Sequence, residues 1–214
     1  MTGLCVEAQT DLVRGLKALG LAPELKTPLV AYLELLLHWN RAYNLTAITD
    51  PIQMVSHHVL DSLAVLPKIH GSRIADIGSG AGLPGIPMAI ARSDLTVVLV
   101  EAVGKKYRFQ KQAILELGLS GVSAVQSRVE NYRPEEPFDT VISRAFAATR
   151  DFVTLAGHLV GPDGRLLAMK GRDPAGELGG LPDPWRVVAV HGIRVPGLDA
   201  ERHLVEMRRD KSAL

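Results

Sequence analysis

The sequence predicts a doubly wound α/β fold, in which a mainly parallel sheet follows a helical extension and ends in an antiparallel hairpin. Apolar, β-rich runs alternate with helical segments after Leu66, as in parallel sheets covered by helices on both faces. The residues before that point show helical periodicity. The last two strand-like runs have no helix between them. We therefore predict a helical extension over residues 1–68 and an α/β domain over residues 69–214.

Two amphipathic helices are predicted within the extension. The first, TPLVAYLELLLHWNRAY, repeats a stripe of residues at three- and four-residue steps, namely Leu29, Leu33, Leu36 and Asn40. The second, DPIQMVSHHVLDSLAVL, begins with Asp50 as a candidate cap and with Pro51 at the first helical position. Its predicted buried face consists of Ile52, Val55, Val59, Leu63 and Leu66.

Five apolar runs predict the parallel strands of the sheet. In chain order they are RIADI, TVVLVE, SAVQS, FDTVIS and GRLLAMKG. The segments between them include the predicted helices LPGIPMAIARS, GKKYRFQKQAILELG and ATRDFVTLAGHLV. The runs WRVVAVHGIRV and RHLVEMRR, joined by the loop PGLDAE, predict the hairpin at the sheet edge. Five parallel strands followed by a hairpin are the outline of the class I methyltransferase sheet.

Composition excludes several kinds of protein. Cys5 is the single cysteine, so the chain can form neither an internal disulfide nor a cysteine zinc site. The most apolar segment, PLVAYLELLLHW, contains Glu34 and is too short to span a bilayer. The N-terminal residues lack the pattern of a signal peptide, so we expect a cytoplasmic protein. The formal net charge of +1 means that only a local basic patch could indicate a nucleic-acid partner.

A glycine-rich loop, DIGSGAGLPG, follows the first predicted strand. Gly80, Gly82 and Gly85 match the dinucleotide pattern G-x-G-x-x-G, which is a weak signal when it stands alone. A pyrophosphate at a helix N-terminus needs free backbone N–H groups, and Pro84 and Pro87 remove two of these donors. The physical chemistry of phosphate binding therefore argues against a dinucleotide at this loop.

Two acidic residues extend this argument to the kind of ligand. Asp76 lies next to the turn, where its carboxylate would repel an anion and favour a ligand with a cationic end, such as S-adenosylmethionine. Glu101 ends the second strand about 20 residues beyond the loop, where an acidic residue meets ribose hydroxyls in such folds. Because nicotinamide dinucleotide and S-adenosylmethionine sites share this acidic residue, an NAD-dependent oxidoreductase remains the alternative.

The sequence after the fourth strand bears on the methyl acceptor. Carbon methylation of pyrimidines usually needs a cysteine nucleophile, and Cys5 lies far from the strand ends. The Asp/Asn-Pro-Pro-aromatic loop used on exocyclic amines is absent, because this position reads ISRAFA. Ser143, Arg144 and Phe146 suit a nucleophile with a free lone pair, such as guanine N7, which attacks the methyl carbon in line without a general base. A structural salt bridge of Arg144 is equally compatible with the spacing.

Basic residues raise a third hypothesis, an RNA-binding protein without catalytic activity. One predicted helix carries Lys105, Lys106, Arg108 and Lys111, either as a solvated face or as contacts to RNA phosphates. Further basic residues that could join them in a patch are Arg41, Arg172, Arg202, Arg208 and Arg209. His57 and His58 are expected to pack or to face solvent, since no metal-ligand spacing accompanies them.

Seven stretches, in order along nearly the whole chain, resemble the bacterial small-subunit ribosomal RNA guanine-N7 methyltransferases, the RsmG or GidB family. They are WNRAYNLTAITDP (39–51), HHVLDSLAV (57–65), DIGSGAGLPGIPMAI (76–90), SRVENY (127–132), FDTVISRAFA (138–147), MKG (169–171) and DAERHLV (199–205). The resemblance implies methyl transfer from S-adenosylmethionine to N7 of one guanine in the decoding-region loop of 16S rRNA, and methyl transfer to another RNA guanine is the alternative. The substrate would be this RNA, naked or in the small ribosomal subunit or its precursor, and we expect the enzyme to be a monomer.

The resemblance and the loop chemistry together give a set of candidate site residues. For the cofactor they are Asp76, Gly78, Gly80, Leu83, Glu101, Val129, Glu130 and Arg144. Arg144 and Phe146 are candidates for positioning the reactants, and no metal is expected. The candidates for contact with the RNA substrate are Lys170, Arg202 and His203.

Overall fold

A seven-stranded sheet forms the centre of the computed structural model, which describes residues 3–146, 148–171 and 174–210. The strands are β1 Arg73–Ile77, β2 Thr96–Glu101, β3 Val122–Gln126, β4 Phe138–Ser143, β5 Val160–Lys170, β6 Trp185–Gly192 and β7 His203–Arg209. Their order in the sheet is β3-β2-β1-β4-β5-β7-β6. The first five strands are parallel, whereas β7 runs antiparallel to both of its neighbours, β5 and β6. The predicted sheet and hairpin are therefore confirmed.

Helices cover both faces of this sheet. They are α1 Val6–Ala18, α2 Lys26–Tyr43, α3 Pro51–Met54, α4 Asp61–Leu63, α5 Gly85–Ala91, α6 Gly104–Glu116 and α7 Thr149–Ala156. Short 3₁₀ turns occupy Pro23–Leu25, Leu66–Lys68, Val129–Asn131, Gly157–Leu159 and Ala175–Glu177. Across the described residues, none of the helices combines the length and the apolar character that crossing a membrane requires.

The central strands are continuous apolar runs because both of their faces are buried. Side chains of successive residues point to opposite faces, so Ile74 and Leu99 join one core cluster while Ala75 and Val98 join the other. The first cluster also contains the buried side chains of the N-terminal helices, and the second contains those of α7. The helices before β1 thus share one hydrophobic core with the sheet.

The fifth strand begins earlier than the sequence predicts. The segment ATRDFVTLAGHLV predicts a helix to its end, but α7 stops at Ala156 and β5 already begins at Val160. Val160 pairs with Phe138 on β4, and the register then shifts before Thr140 pairs with Arg165. This irregularity lets the strand start inside a segment that has helical periodicity.

The second predicted helix of the extension contains a wider turn that the sequence pattern does not reveal. The Asp50 carboxylate caps it by accepting a hydrogen bond from the Ile52 N–H at 3.1 Å. After α3, residues Val55–Leu60 form a π-helical turn that leads directly into α4. Of the predicted buried face, Val55, Val59, Leu63 and Leu66 are buried, whereas Ile52 is partly exposed.

The π-helical turn also buries polar residues outside the predicted face. A π-helical turn has i→i+5 hydrogen bonds, so it rotates the following residues relative to an ordinary helix. As a result His58, Asp61 and Ser62 lie inside the protein together with the apolar face. The burial of Asp61 is the most consequential of these changes, because it brings a carboxylate to the end of the sheet.

In α2 the predicted stripe is confirmed, and its last residue organises the loop that follows. Asn40 is buried, and its Oδ1 accepts hydrogen bonds from the Leu45 N–H at 2.7 Å and the Thr46 N–H at 2.9 Å. Its Nδ2 donates to the Thr46 carbonyl at 3.1 Å. One side chain therefore satisfies three backbone groups after the helix ends.

Asn40→Ala should destabilise the protein by about 2 kcal/mol, because it leaves buried backbone groups of Leu45 and Thr46 without partners. Urea unfolding, followed by circular dichroism, measures the change. Thr10→Ala is the control, since it removes an exposed hydroxyl bond to the Val6 carbonyl and should change the free energy of unfolding by less than about 0.5 kcal/mol. Equal stabilities of the two variants would contradict the role assigned to Asn40.

Candidate functional site

The candidate site lies at the edge of the sheet where the parallel strands end, which we call the carboxyl edge. Ligands of open α/β sheets bind outside this edge. The loop Gly78–Pro84 after β1, the loop after β4 and the start of β7 at His203 meet there. Each predicted site residue lies in one of the segments at this edge or directly beside it.

Glycines in the loop after β1 serve different purposes. Gly78, Gly80 and Gly82 have positive φ angles of 64°, 58° and 82°. A Cβ on Gly78 would lie 2.7 Å from the Ala145 Cβ, and one on Gly85 would lie 2.4 Å from Leu99 Cδ2. A Cβ on Gly80 would instead meet only the Gly78 carbonyl oxygen, at an ordinary contact distance of 3.9 Å. Gly78 and Gly85 therefore permit close packing, while Gly80 leaves room above the loop.

Most backbone N–H groups of this loop already donate hydrogen bonds within the protein. Two of them donate to carboxylates: Gly80 to Glu101 Oε2 and Gly85 to Asp76 Oδ2, each at 2.8 Å. Five more donate to carbonyl groups, with the pairs Gly78 to Val100, Ser79 to Val100, Gly82 to Ser79, Leu83 to Ser79 and Ile86 to Gly82. A pyrophosphate would find few donors here and two carboxylates nearby. This geometry agrees with the argument from the two prolines that the loop is unsuited to a dinucleotide.

Asp76 supports the loop from below. Its side chain is fully buried, and its second oxygen, Oδ1, has no hydrogen-bond partner among the residues that the structure describes. Burial raises the pKa of Asp76 to about 7; the Gly85 N–H and Arg144 act in the opposite direction, and Glu101 adds to the increase. The sequence analysis places this carboxylate against the ligand, whereas the structure places it beneath the loop, where it fixes the start of α5.

Glu101 lies closer to the open side of the loop. Its Oε1 accepts a hydrogen bond from the Val103 N–H at 2.8 Å, while Oε2 holds Gly80. The side chain is 5% exposed and sits at the end of β2, next to the glycine with room above it. This is the position from which an acidic residue reaches ribose hydroxyls in such folds.

Two further residues hold the loop, and sequence reasoning missed both. Gln110 on α6 donates from Nε2 to Ser79 Oγ at 2.9 Å and to the Gly80 carbonyl at 2.8 Å. The Tyr32 hydroxyl on α2 donates to the Ala81 carbonyl at 2.8 Å. Both side chains are fully buried. A polar group on the apolar face of a predicted helix is the signal that could have identified them.

The remaining predicted cofactor and positioning residues differ in exposure. Val129 and Leu83 are buried, whereas Glu130 is exposed in the 3₁₀ turn after β3. The ring of Phe146 is partly buried and packs against Phe152, with ring centroids 5.0 Å apart. Phe146 is therefore supported from within the fold while part of its ring remains accessible at the carboxyl edge.

Arg144 forms the salt bridge that the sequence analysis left open. Its Nη1 lies 3.2 Å from Asp61 Oδ2 and 3.2 Å from the His57 carbonyl. The other oxygen of the same carboxylate, Oδ1, accepts a hydrogen bond from Arg202 Nε at 3.1 Å. Asp61 thus joins a predicted cofactor residue to a predicted substrate residue. The sequence analysis did not select Asp61, because this residue lies outside the apolar face predicted for its helix.

The other two substrate candidates are neighbours across the sheet. Lys170 ends β5 and pairs in register with His203 at the start of β7. The Lys170 Nζ donates to the Phe146 carbonyl at 3.2 Å, and the side chain is buried. Lys170, Arg202 and His203 therefore lie together at the carboxyl edge, beside the loop that carries Arg144.

Among the described basic residues, Arg208 and Arg209 do not join Arg202 in one patch. Arg208 and Arg209 lie at the far end of β7, where Arg208 pairs with Glu206 and Arg209 donates to the Gly157 carbonyl. They are at the opposite edge from Arg202, because β7 runs antiparallel to β5. Lys105 and Lys106 occupy the first turn of α6, which begins shortly after β2 ends. Arg172 lies outside the described residues.

The two histidines of the extension, His57 and His58, contact neighbouring side chains within the fold. His58 is buried, and its Nε2 lies 2.9 Å from Thr46 Oγ1. Burial lowers the pKa of His58 to about 4, and the nearby Arg144 acts in the same direction. His57 is partly exposed, and its Nδ1 lies 3.0 Å from Ser56 Oγ. These contacts agree with the expectation of packing or surface positions.

Comparison with known proteins identifies close relatives of this chain. A family model described as rRNA small subunit methyltransferase G, or GidB, matches residues 26–205. A protein of Azoarcus sp. (strain BH72) named ribosomal RNA small subunit methyltransferase G is 55% identical over 92% of this chain and 95% of its own length. A protein of the same name from Aromatoleum aromaticum is 53% identical over 93% of this chain and 98% of its own length.

Solved structures share the fold at low sequence identity. TrmN from Thermus thermophilus matches with a TM-score of 0.57 and 17% identity, over 80% of this chain and 52% of that one. The glycopeptide N-methyltransferase MtfA, complexed with S-adenosyl-L-homocysteine, matches with a TM-score of 0.59 and 12% identity, over 72% of this chain and 87% of that one. These matches confirm the class I methyltransferase architecture.

The raised pKa of Asp76 predicts a specific pH dependence of stability. With a pKa of about 7, the folded protein keeps a proton that the unfolded chain releases near pH ~4. The free energy of unfolding contributed by this residue therefore decreases as the pH rises through that interval. Asp76→Asn should remove the decrease, so that wild type loses stability relative to the variant between pH 5 and pH 8. If the free energies of unfolding of wild type and Asp76→Asn, measured with urea, changed with pH in parallel, the raised pKa of Asp76 would be contradicted.

Proposed function

Because this chain belongs to the rRNA small subunit methyltransferase G (GidB) family, we propose that it methylates N7 of one guanine in the decoding-region loop of 16S rRNA. It is an enzyme that uses S-adenosylmethionine. Family membership overturns both the NAD-dependent oxidoreductase and the RNA-binding protein without catalytic activity.

One observation carries the choice of N7 as the acceptor. The buried carboxylates at the carboxyl edge hold structural partners: Asp61 holds two arginines, Asp76 holds the Gly85 N–H, and Glu101 holds the Gly80 and Val103 N–H groups. The second oxygen of Asp76 is fully buried and therefore shielded from a solvent-side acceptor. A general base would need a carboxylate or an imidazole with an available lone pair beside the acceptor. Guanine N7 already has a free lone pair and needs no base. The contribution of the protein is then alignment of the base and exclusion of water.

The residues at the edge fit the cofactor. S-adenosylmethionine supplies an electrophilic methyl group on a cationic sulfur when it is bound. Gly80 has room for a ligand close to its backbone, since a Cβ there would meet only the Gly78 carbonyl oxygen at 3.9 Å, and Glu101 lies beside it to accept bonds from ribose hydroxyls. The carboxylates near the loop favour the cationic part and disfavour phosphate. We assign the apolar side chain of Val129 to the adenine face and the exposed carboxylate of Glu130 to its amino group.

Other candidates contribute to the same site. Gly78 and Leu83 shape the wall of the cofactor site, and Asp76 supports it from below. Arg144 faces the cofactor, and Phe146 stacks on the target base. Lys170, Arg202 and His203 contact the RNA from the neighbouring strand ends. An rRNA substrate, free or in the small ribosomal subunit, implies a cytoplasmic enzyme, and we infer that it acts as a monomer.

We expect the purified protein to transfer a labelled methyl group to unmethylated 16S rRNA or small subunits. The modified nucleotide can be mapped by reduction and aniline cleavage of the RNA, because N7-methylguanosine is selectively sensitive to this treatment. A single cleavage in the decoding-region loop is the expected result. Arg144→Ala should reduce the incorporation by at least about 10-fold, since it removes a charged hydrogen-bond donor from the site.

Two outcomes would overturn parts of this proposal. Incorporation of label without aniline sensitivity would exclude N7 as the acceptor. Cleavage at a guanine elsewhere in the RNA would support N7 as the acceptor but would exclude the decoding-region loop as the target.

Gly80→Ala should weaken binding of S-adenosylmethionine by about 10-fold or more, because its methyl group would fill the room above the loop. Gly118→Ala is a matched control: Gly118 has a φ of 62°, close to the 58° of Gly80, and open space around it, but it lies at the end of α6 near the opposite edge. Each variant should lose about 1 kcal/mol of stability through its left-handed backbone. Equal affinities of the two variants in calorimetry would remove Gly80 from the cofactor site.

A further inference from the structure

Asp61 holds two arginines from different parts of the chain on one carboxylate. The side chain is only 6% exposed, and each of its oxygens takes one guanidinium group, Oδ2 that of Arg144 and Oδ1 that of Arg202. Arg144 follows β4, and Arg202 immediately precedes β7. The carboxylate comes from α4 in the helical extension. A single residue therefore connects three segments at the carboxyl edge.

The π-helical turn explains how the extension delivers two acceptors to this place. Residues Val55–Leu60 form the turn, and Asp61 follows it directly. The carbonyl of His57, which lies inside the turn, accepts a hydrogen bond from the same Nη1 of Arg144 that contacts Asp61. π-Helical turns are frequent at functional sites, because they redirect backbone and side-chain groups that a regular helix would keep in place.

Both arginines retain donors for a ligand. Arg144 uses Nη1 for its two contacts, and its Nε and Nη2 have no hydrogen-bond partner within the part of the chain that the structure describes. Arg202 uses Nε for Asp61 and Nη1 for the Glu201 carbonyl, which leaves Nη2 unused within the same described residues. Their side chains are 27% and 21% exposed. Each guanidinium group is thus fixed by its contacts within the protein and still has N–H donors available for a ligand.

The electrostatics make this arrangement interdependent. Burial raises the pKa of Asp61, while the positive charges of Arg144 and Arg202 act in the opposite direction. A buried carboxylate is tolerated because it has these two partners, and each arginine is oriented because the carboxylate is fixed. Loss of the negative charge would leave two neighbouring cations without their shared partner and would separate their guanidinium groups.

We propose that Asp61 is a positioning residue for methyl transfer, which orients Arg144 toward the cofactor and Arg202 toward the RNA. The assignment of the two arginines to these ligands rests on the proposed function. Asp61 acts through the arginines and does not touch the reactants. Because one carboxylate serves both, its loss should weaken the binding of both reactants at once.

Glu206 provides a matched control within the same protein. It is also a buried carboxylate that pairs with two arginines, with Oε1 lying 3.0 Å from Arg165 Nη1 and 2.7 Å from Arg208 Nη2. Its other oxygen, Oε2, lies 3.1 Å from His191 Nε2. It lies within β7, three residues beyond His203, and its partners lie farther from the carboxyl edge. Replacing it removes the same kind of ion pair without altering the candidate site.

The test compares Asp61→Asn with Glu206→Gln in three measurements: the melting temperature, the Kd of S-adenosylmethionine by calorimetry, and the KM and kcat for 16S rRNA or small subunits. Both variants should lower the melting temperature. Only Asp61→Asn should raise the Kd of S-adenosylmethionine and the KM for RNA, each by about 10-fold, which corresponds to the loss of one oriented charged hydrogen bond. In the background of Arg202→Ala, Asp61→Asn should add little to the KM for RNA, because its effect passes through that arginine.

Asp61→Glu covers the case in which Asp61→Asn does not fold. It keeps the charge but lengthens the side chain by one methylene group, so it should remain folded and still raise both constants by displacing the guanidinium groups. A folded Asp61 variant with the Kd and KM of wild type would overturn the inference, as would an equal effect of Glu206→Gln. Wild-type protein that binds S-adenosylmethionine but methylates no RNA would instead overturn the proposed function, and the calorimetric comparison would still test the orientation of Arg144.

Discussion

The structure of the candidate site depends on buried carboxylates that accept hydrogen bonds from the backbone of the glycine loop. Asp76 holds the Gly85 N–H and Glu101 holds the Gly80 N–H, so the loop is fixed at both ends. Backbone groups that are bonded in this way are unavailable to a phosphate, and the charges that hold them repel one. The same interactions that give the loop its shape therefore also restrict the kind of ligand that it can accept.

Much of the fold could be predicted because its signals are local. Alternation of apolar runs with amphipathic helices identified the parallel sheet, and the missing helix before RHLVEMRR identified the hairpin. The π-helical turn at Val55–Leu60 could not be predicted in this way, since its residues have an ordinary helical pattern and the wider turn depends on tertiary packing. Asp61 was missed for the same reason, because its burial follows from that turn.

The positions of the main site residues could be predicted from the sequence, but the contacts that each of them makes could not. The glycine loop, Glu101 and Arg144 were identified by position, whereas the roles of Tyr32 and Gln110 depend on contacts between residues far apart in the chain. Asp76 was assigned to the ligand from its place before the turn, and the structure adds the contact of its Oδ2 with the Gly85 N–H, which a sequence does not reveal. Arg202 and Arg209 lie at opposite edges of the sheet because β7 runs antiparallel to β5. The sequence does not show this direction, which is established by the pairing of the two strands.

The hydrophobic core that the N-terminal helices share with the sheet has a consequence for how the protein can vary. Leu12, Leu33 and Leu63 belong to the same cluster as Ile74 and Leu99, so the helical segment is not a detachable module. Its removal would expose a large apolar face of the sheet to water. Substitutions in the first third of the chain can therefore alter a reaction that takes place on loops encoded far downstream.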